Sequence, residues 1–321
     1  MNTLLFFECG EGETNVKKDD HCLTSAQQRE VDKSADLLLK KAGAYGRYPT
    51  PIFDLIGAAE LELAREQILD KVFLGEIYRS LPNSLKLAPD RLKKAVDKVL
   101  GLLDRPARKI YIDPSVHKNK KPFLSLHEVA HDFLSWQRKA FEILEDGESE
   151  LDEDTRDEFE RQANCFASDV LFQRQAFTLE AADSAFGIIV PVNLSKRFGS
   201  SVYAAMRRYV TTSASPCAVI VFEKPPDVYP IMALEVRRAV ASPTFEERFG
   251  KNWNKDQYGP GEFFIEHLPF NRFSRASAFR MKDRNGASRD CTAEAFNSTK
   301  QVFFLIQSAT APTGAIVSIR R

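Results

Sequence analysis

The sequence lacks a net charge and has no long apolar run. Lys and Arg total 45, and Asp and Glu also total 45, so the formal net charge is zero. Without a global basic field, any contact with nucleic acid or an anionic membrane has to be local. No apolar run reaches the 18 residues of a membrane-spanning helix. The start, MNTLLFFECGEGE, turns acidic after a short apolar patch, so we expect no secretory signal.

Cysteine is scarce and unpatterned. The five cysteines are odd in number and lack CxxC spacing: Cys9, Cys22, Cys165, Cys217 and Cys291. This usage is typical of reduced thiols, so we expect a cytoplasmic protein.

Apolar spacing predicts a mainly helical first part of the chain. Positions 1–23 are polar, and we expect them to be disordered. A capping box at Ser25 and Gln28 should open the first helix, and Thr50-Pro51 the second. A third helix is predicted from Asp90 to Leu103, and the alternation in ARKIYIDP, residues 107–114, predicts a short strand.

The sequence pattern changes from helical to β-rich after Pro216. Before it, residues 179–212 read as short helices, among them AADSAFG (181–187). After it come four β-rich segments separated by Pro, Gly, Asn and Ser: CAVIVFE, IMALEVRRAV, VFFLIQSA and AIVSIRR. No phosphate loop, metal set or cofactor motif is visible in this C-terminal part.

Two of the five histidines lie four residues apart in PFLSLHEVAHDFLSW, residues 122–136. On a helix that advances about 100° per residue, His127, Glu128 and His131 share an arc of about 100°. The apolar residues fall between about 200° and 340° on the same wheel: Phe123, Leu126, Val129, Ala130, Phe133 and Leu134. One face therefore buries the helix, while the other directs two imidazoles to one point.

This pattern is H-E-x-x-H, in which two neutral imidazoles one turn apart bind one Zn²⁺. The glutamate beside the first histidine reaches the attacking water without ligating the metal, so Glu128 is the candidate catalytic base. An amphipathic helix with two surface histidines is the alternative. Manganese also fits two histidines and one carboxylate.

A catalytic zinc needs a third protein ligand. Position 134 is Leu and position 137 is Gln, so HExxHxxGxxH spacing is excluded. The segment DEFERQANCFASDVL, within a helix predicted from about Asp154 to Gln175, offers Glu160 beside two alanines that permit close helix packing. Asp157 and Glu158 are the competing ligands. Asn164, one turn on, is placed to accept a hydrogen bond from the outer nitrogen of a ligating histidine.

Three segments, LHEVAH, ERQANCFASDVL and NLSKRFGSSVYAAMRRY, together resemble the ImmA/IrrE family of metallo-endopeptidases, over roughly residues 50–212. The resemblance implies a zinc peptidase in which His127, His131 and Glu160 are ligands and Glu128 is the base. It also implies cleavage of a helix-turn-helix repressor, in stress response or mobile-element control. The chain departs from the family pattern at Ala130, usually Gly, and after Leu171, where a proline is usual. These departures bear on substrate choice more than on the metal.

The segment NLSKRFGSSVYAAMRRYV also has the pattern of a helix-turn-helix, with Gly199 ending one helix and Ser201 capping the next. Its basic residues can meet phosphates: Lys196, Arg197, Arg207 and Arg208. The alternative is that its apolar residues pack the hairpin onto the peptidase domain.

We therefore predict an α+β protein with four parts. A disordered tail (1–23) precedes a mostly helical, zincin-like peptidase domain with a short sheet (24–178). A helix-turn-helix-like segment (179–213) and a β-rich α+β regulatory domain (214–321) follow. The expected activity is zinc-dependent endoproteolysis without membrane contact. The rival hypothesis is a non-proteolytic, metal-containing regulator that binds a repressor or DNA through residues 193–210. The oxyanion-stabilising group stays open, with Tyr111 and His117 as candidates.

Overall fold

The computed structural model describes residues 23–64, 101–146, 152–225, 231–269 and 271–309. These ranges contain ten helices and two β-sheets, which confirms the predicted α+β class. The chain divides into two compact units. Within the described residues, the first comprises 23–180 and Leu194–Ala204, and the second comprises Ala181–Asn193 and 205–309.

Helix α1 (Ser25–Lys41) opens the first unit, and its N-terminus is one residue earlier than predicted. Thr24 is the N-cap, and it forms the capping box with Gln27. The prediction of Ser25 and Gln28 was wrong by one position, because Thr24 is also a favourable N-cap and Gln27 completes its capping box, which leaves Ser25 inside the helix. Helix α2 (Ile52–Ala58) follows.

A three-stranded sheet comes next, with strands β1 (Glu62–Leu63), β2 (Gly101–Asp104) and β3 (Lys109–Ile112) in the order β1-β3-β2. The strand predicted within 107–114 is confirmed as β3. The helix predicted up to Leu103 is wrong at its end, because Leu102 and Leu103 pair antiparallel with β3. The rest of that helix, residues 90–100, lies outside the described residues.

Helix α3 (Lys121–Phe133) carries the HEVAH sequence, and α4 (Ser135–Asp146) follows after a single non-helical residue. Helix α5 (Glu153–Leu171) is capped by Asp152, whose side chain accepts a hydrogen bond from the Thr155 backbone N–H. It ends four residues earlier than predicted. Gln173 and Arg174 adopt left-handed φ values of 48° and 57°, which interrupt the helix before α6 (Gln175–Ala182).

Helices α3 and α5 pack through small and aromatic side chains. Ala163 and Ala167 of α5 are fully buried. Phe133 and Phe166 bring the two helices together, with ring centroids 5.9 Å apart. The methyl side chains permit the close approach that was expected for this pair of helices.

Helices α7 (Ile189–Phe198) and α8 (Val202–Thr211) are joined by a tight turn. Gly199 has φ +73°, and the Ser201 hydroxyl accepts from the Ala204 N–H at 3.1 Å. The helix predicted at 181–187 is wrong, because α6 ends at Ala182 and residues 183–188 form turns and bends.

The second unit holds a six-stranded antiparallel sheet in the order β6-β5-β4-β9-β8-β7. The strands are β4 (Cys217–Glu223), β5 (Leu234–Ala241), β6 (Gln257–Tyr258), β7 (Ser277–Lys282), β8 (Ser288–Asn297) and β9 (Gln301–Ser308), with helices α9 (Pro243–Phe249) and α10 (Phe263–Glu266). Three of the four predicted β-rich segments therefore contain strands. The fourth, AIVSIRR, lies outside the described residues.

One face of this sheet forms a core rich in phenylalanine. Phe222 and Phe304 on the central strands pack against Phe264 of α10, with ring centroids 5.0–5.7 Å apart. Phe245 of α9 is fully buried in the same cluster. The second unit thus has its own apolar core. Among the helices in the ranges given above, none combines the length and apolarity needed to cross a membrane.

Candidate metal centre

Helix α3 brings two imidazoles to one point. His127 and His131 are buried, at 0% and 2% exposed, and lie one turn apart on the same face. Their Nε2 atoms are 3.1 Å apart. Two ring nitrogens therefore face each other within the protein interior.

Glu160 of α5 completes the cluster. Its Oε2 atom lies 3.2 Å from His127 Nε2, and its Oε1 atom lies 3.6 Å from His131 Nε2. The Glu160 side chain is 31% exposed, whereas the imidazoles are buried, so Glu160 is the member of the cluster that solvent reaches. These three residues can hold a metal ion.

The outer nitrogens of both imidazoles contact amide oxygens. Asn164 Oδ1 lies 3.1 Å from His127 Nδ1, and Gln137 Oε1 lies 2.9 Å from His131 Nδ1. An amide oxygen only accepts hydrogen bonds, so in each neutral ring Nδ1 carries the proton. Both Nε2 atoms then present lone pairs to the centre of the cluster.

Two lone pairs and one carboxylate therefore converge without a proton between them. Such an arrangement is electrostatically unfavourable unless a cation sits among the donors. Tetrahedral zinc with bonds of about 2.0–2.1 Å places its donor atoms about 3.3 Å apart. The observed separations of 3.1, 3.2 and 3.6 Å are close to that value. The residues present fit a divalent cation.

The pKa of His131 is consistent with a neutral metal ligand, whereas the pKa of His127 is shifted the other way by Glu160. Burial lowers the pKa of His131 to about 4, and His127 beside it acts in the same direction. His131 is therefore neutral at neutral pH, as a metal ligand must be. For His127, burial also acts downward, but the carboxylate of Glu160 outweighs it and the pKa is raised.

Glu128 lies beside the cluster and is not one of its three donors. Its side chain is 1% exposed, and Oε1 has no hydrogen-bond partner among the residues that the structure describes. Burial raises the pKa of Glu128 to about 7. A carboxylate with such a pKa can both take and return a proton at neutral pH.

Residues 90–209 match the family model Peptidase_M78, described as the IrrE N-terminal-like domain. Over these residues the chain is similar to the IrrE N-terminal-like family. The resemblance to ImmA/IrrE is thereby confirmed over these residues. The match contains the whole metal group together with Glu128 and Asn164, and it extends to the end of the segment NLSKRFGSSVYAAMRRY.

One solved structure similar to the chain is a Mycobacterium tuberculosis transcriptional regulator. It shares 11% sequence identity, with a TM-score of 0.48, over 87% of this chain and 76% of the other. No curated protein is similar enough in sequence to count as a match.

The two competing candidates for the third ligand, Asp157 and Glu158, are not part of the metal group. Asp157 is exposed on α5. Glu158 accepts hydrogen bonds from the side chains of Gln27, at 2.5 Å, and Gln162, at 2.8 Å. His117 is an exposed loop residue whose Nδ1 accepts from the Asn119 N–H at 3.3 Å. Neither His117 nor Tyr111 is assigned a role.

Sequence reasoning missed a buried arginine at the end of α3. Arg105 donates to the His131 carbonyl at 2.8 Å and lies 4.2 Å above the Phe141 ring. The last carbonyls of a helix lack partners within the helix and carry a partial negative charge. Arg105 thus satisfies a backbone carbonyl of His131, a candidate metal ligand. It lies in a turn to which the sequence pattern assigned no function.

Arg108 was missed as well. Its Nη1 atom donates to both carboxylate oxygens of Asp132, at 2.8 and 2.9 Å, and its Nη2 atom donates to the Ala59 carbonyl at 3.0 Å. Asp132 is buried directly after His131. This arginine therefore links the end of α2 to helix α3, which carries both histidines. Such long-range pairs leave no periodic signal in the sequence.

Proposed function

We propose that this protein is a zinc-dependent metalloendopeptidase that cleaves a peptide bond of a protein substrate. The observation that carries the proposal is the convergence of His127, His131 and Glu160 beside a buried carboxylate, Glu128, that is free to move a proton. The match of residues 90–209 to a peptidase family model supports it.

In this proposal His127, His131 and Glu160 hold the zinc, and Asn164 orients the ring of His127. Bound zinc supplies a Lewis acid that polarises the scissile carbonyl and makes water more acidic. Manganese is an alternative occupant of the same donor set.

Glu128 is the general base of the proposed reaction. Its carboxylate takes a proton from the attacking water and passes it to the leaving amine nitrogen. In the metal-free protein burial raises the pKa of Glu128 to about 7, so this carboxyl group can exchange a proton near neutral pH. Water supplies the hydroxyl of the new carboxylate product, and the amine leaves protonated.

We further propose that the substrate is a helix-turn-helix transcriptional repressor, in stress response or mobile-element control, and that the protein works in the cytoplasm. Support for the substrate comes from the ImmA/IrrE resemblance of the three sequence segments. Residues 214–321 are proposed to be a regulatory domain, an idea supported by the separate apolar core of the second unit.

The experiment combines metal analysis with cleavage. Purified protein should contain about one zinc per chain, and Glu128→Gln should retain that zinc. Helix-turn-helix repressors are incubated with wild type and with Glu128→Gln, and products are identified by mass spectrometry. Wild type alone should give a defined cut. A protein that binds neither zinc nor manganese, or a fully active Glu128→Gln variant, would overturn the proposal.

The second candidate is a non-proteolytic regulator that binds a repressor or DNA through residues 193–210. The tight turn at Gly199 and the Ser201 cap between α7 and α8 favour it. One basic residue of this segment is already engaged: Arg197 pairs with Glu180 and stacks on Tyr48 with 4.0 Å to the ring centroid. That engagement favours a packing role for this part of the hairpin.

A further inference from the structure

We propose that Gln137, held in place by Gln162, is a positioning residue that fixes His131 as a metal ligand. The inference rests on the proposed zinc site and adds to it two residues that the motif does not contain. Gln137 is fully buried and Gln162 is 3% exposed. Buried side-chain amides are stable only when their donors and acceptors have hydrogen-bond partners inside the protein, so the partners of these two glutamines indicate their role.

The chain changes direction between His131 and Gln137. In one continuous helix, residues six apart are separated by about 9 Å along the axis and about 120° around it. Leu134, however, has φ −73° and ψ 102°, an extended conformation that ends α3 before α4 begins. Only because of this break does Gln137 Oε1 lie 2.9 Å from His131 Nδ1.

The orientation of the Gln137 amide is fixed by its other hydrogen bonds. Its Nε2 atom donates to the Phe159 carbonyl at 3.1 Å and to Gln162 Oε1 at 2.9 Å. With both donor hydrogens used, the oxygen has to face His131. The amide can therefore accept the Nδ1 proton but cannot donate to the ring, which keeps His131 in the tautomer with a free Nε2 lone pair.

Gln162 in turn is held from two sides. Its oxygen also accepts from the Trp136 indole N–H at 2.7 Å, and its Nε2 donates to Glu158 at 2.8 Å. Gln27 of α1 donates to the same Glu158 oxygen. The chain of hydrogen bonds thus runs from the metal ligand through two buried amides to a carboxylate at the edge of the domain, with each amide group satisfied.

Residues of helix α5 therefore orient both imidazole rings, and the same helix supplies the candidate ligand Glu160. Glu160 joins the metal group, Asn164 contacts His127 directly, and Gln162 reaches His131 through Gln137. A residue that fixes the ring orientation of a ligand typically changes metal affinity by about 10–100-fold. Gln137 should act at this level without contacting zinc or substrate.

The test measures zinc affinity by competition with a chromophoric chelator, together with the visible spectrum of the cobalt-substituted protein. Gln137→Met, close in shape but without an amide, should lower zinc affinity by about 10–100-fold and alter the cobalt spectrum. Gln162→Met should give a smaller loss, because the Gln137 amide remains but is no longer held.

Gln173→Met is the matched control. Gln173 is also a buried glutamine with three hydrogen-bond partners, Gly46, Arg47 and Thr50, none of which belongs to the metal group. This variant should lower the melting temperature of the metal-free protein and leave zinc affinity unchanged. The pair of variants separates positioning of the ligand from general stability.

An unchanged zinc affinity in Gln137→Met, with normal zinc binding by wild type, overturns the positioning role and leaves the proposed function intact. If Gln137→Met does not fold, an unchanged affinity in Gln162→Met overturns it instead. A wild-type protein that binds no metal overturns both this inference and the proposed function. Equal losses of affinity in Gln137→Met and Gln173→Met also overturn it, since the effect is then one of stability.

Discussion

Glu128 lies against Gly101, the first residue of strand β2. A Cβ built on Gly101 would come within 2.6 Å of Glu128 Oε1 and 3.3 Å of its carboxyl carbon. The distance of 2.6 Å is shorter than van der Waals contact, so any larger residue has to push the carboxylate aside. The absence of a side chain at position 101 therefore determines where the proposed base can sit.

Gly101→Ala should separate the base from the metal. The added methyl group displaces the Glu128 carboxylate while the ligands keep their places, so cleavage should fall by about 100-fold. Zinc affinity should stay at the wild-type value. The overpacking should also cost about 1–3 kcal/mol of stability, measured by urea unfolding. Gly57→Ala is the control, because a Cβ at Gly57 in α2 meets no atom within 4 Å. Full activity in Gly101→Ala would show that the carboxylate has room to move.

The metal-free protein should carry a pH-dependent penalty from Glu128. Burial raises the pKa of this group from 4.5 to about 7. Between those values the unfolded chain has lost the proton and the folded protein keeps it, so stability falls as pH rises through this window. The full difference is on the order of 3 kcal/mol.

Unfolding of chelator-treated wild type and Glu128→Gln in urea checks this expectation. The stability of Glu128→Gln relative to wild type should increase between about pH 4.5 and pH 7, and then stay constant. The metal ligands titrate in both variants, so their contribution cancels to first order. A difference that does not change with pH contradicts the raised pKa.

Glu160 and Glu158 lie two positions apart on α5, and their exchange for glutamine should have different consequences. Glu160→Gln removes the charged oxygen of the metal group, so zinc affinity should fall by at least about 100-fold. Glu158→Gln removes a charge but keeps an oxygen that can accept from Gln27 and Gln162, so zinc should remain bound. Zinc content after dialysis against a weak chelator distinguishes the two. Loss of zinc from Glu158→Gln alone would contradict the assignment.

Gly199 should be intolerant of substitution for two reasons. It has φ +73°, and a Cβ there would lie 2.9 Å from Pro49 Cβ. Gly199→Ala should therefore cost about 1 kcal/mol for the left-handed conformation, and more for the clash. Gly43→Ala carries only the first cost, because Gly43 has φ +55° and nothing within 4 Å. Thermal unfolding should rank Gly199→Ala below Gly43→Ala, and the reverse order would exclude the clash.

The regulator alternative makes its own prediction. If residues 193–210 bind DNA, duplex binding should weaken with salt, and Arg207→Ala should reduce both the affinity and the salt dependence. Glu128→Gln should leave that binding unchanged. Electrophoretic shift or fluorescence anisotropy at two salt concentrations measures it. Peptidase activity without any duplex binding favours the enzyme.

Local patterns predicted the elements whose signals are periodic. The face shared by His127, Glu128 and His131 followed from the 3.6-residue repeat, and ARKIYIDP alternated as a strand does. The stretch ending at Leu103 was predicted as a helix, yet 101–104 form a strand. The apolar spacing up to Leu103 fits a helix, but antiparallel pairing with β3 makes 101–104 a strand.

Residue types and spacing were enough to predict the candidate donors: two imidazoles and a carboxylate on one helical face, and Glu160 beside small residues on a second helix. Chemistry of this kind depends on residue type and spacing, which a linear sequence records. How the donors are held and separated depends on contacts between distant parts of the chain. Gln137 reaches His131 through a break at Leu134, and Glu128 sits where Gly101 leaves space. These contacts arise from tertiary packing, so no periodic pattern in the sequence predicts them.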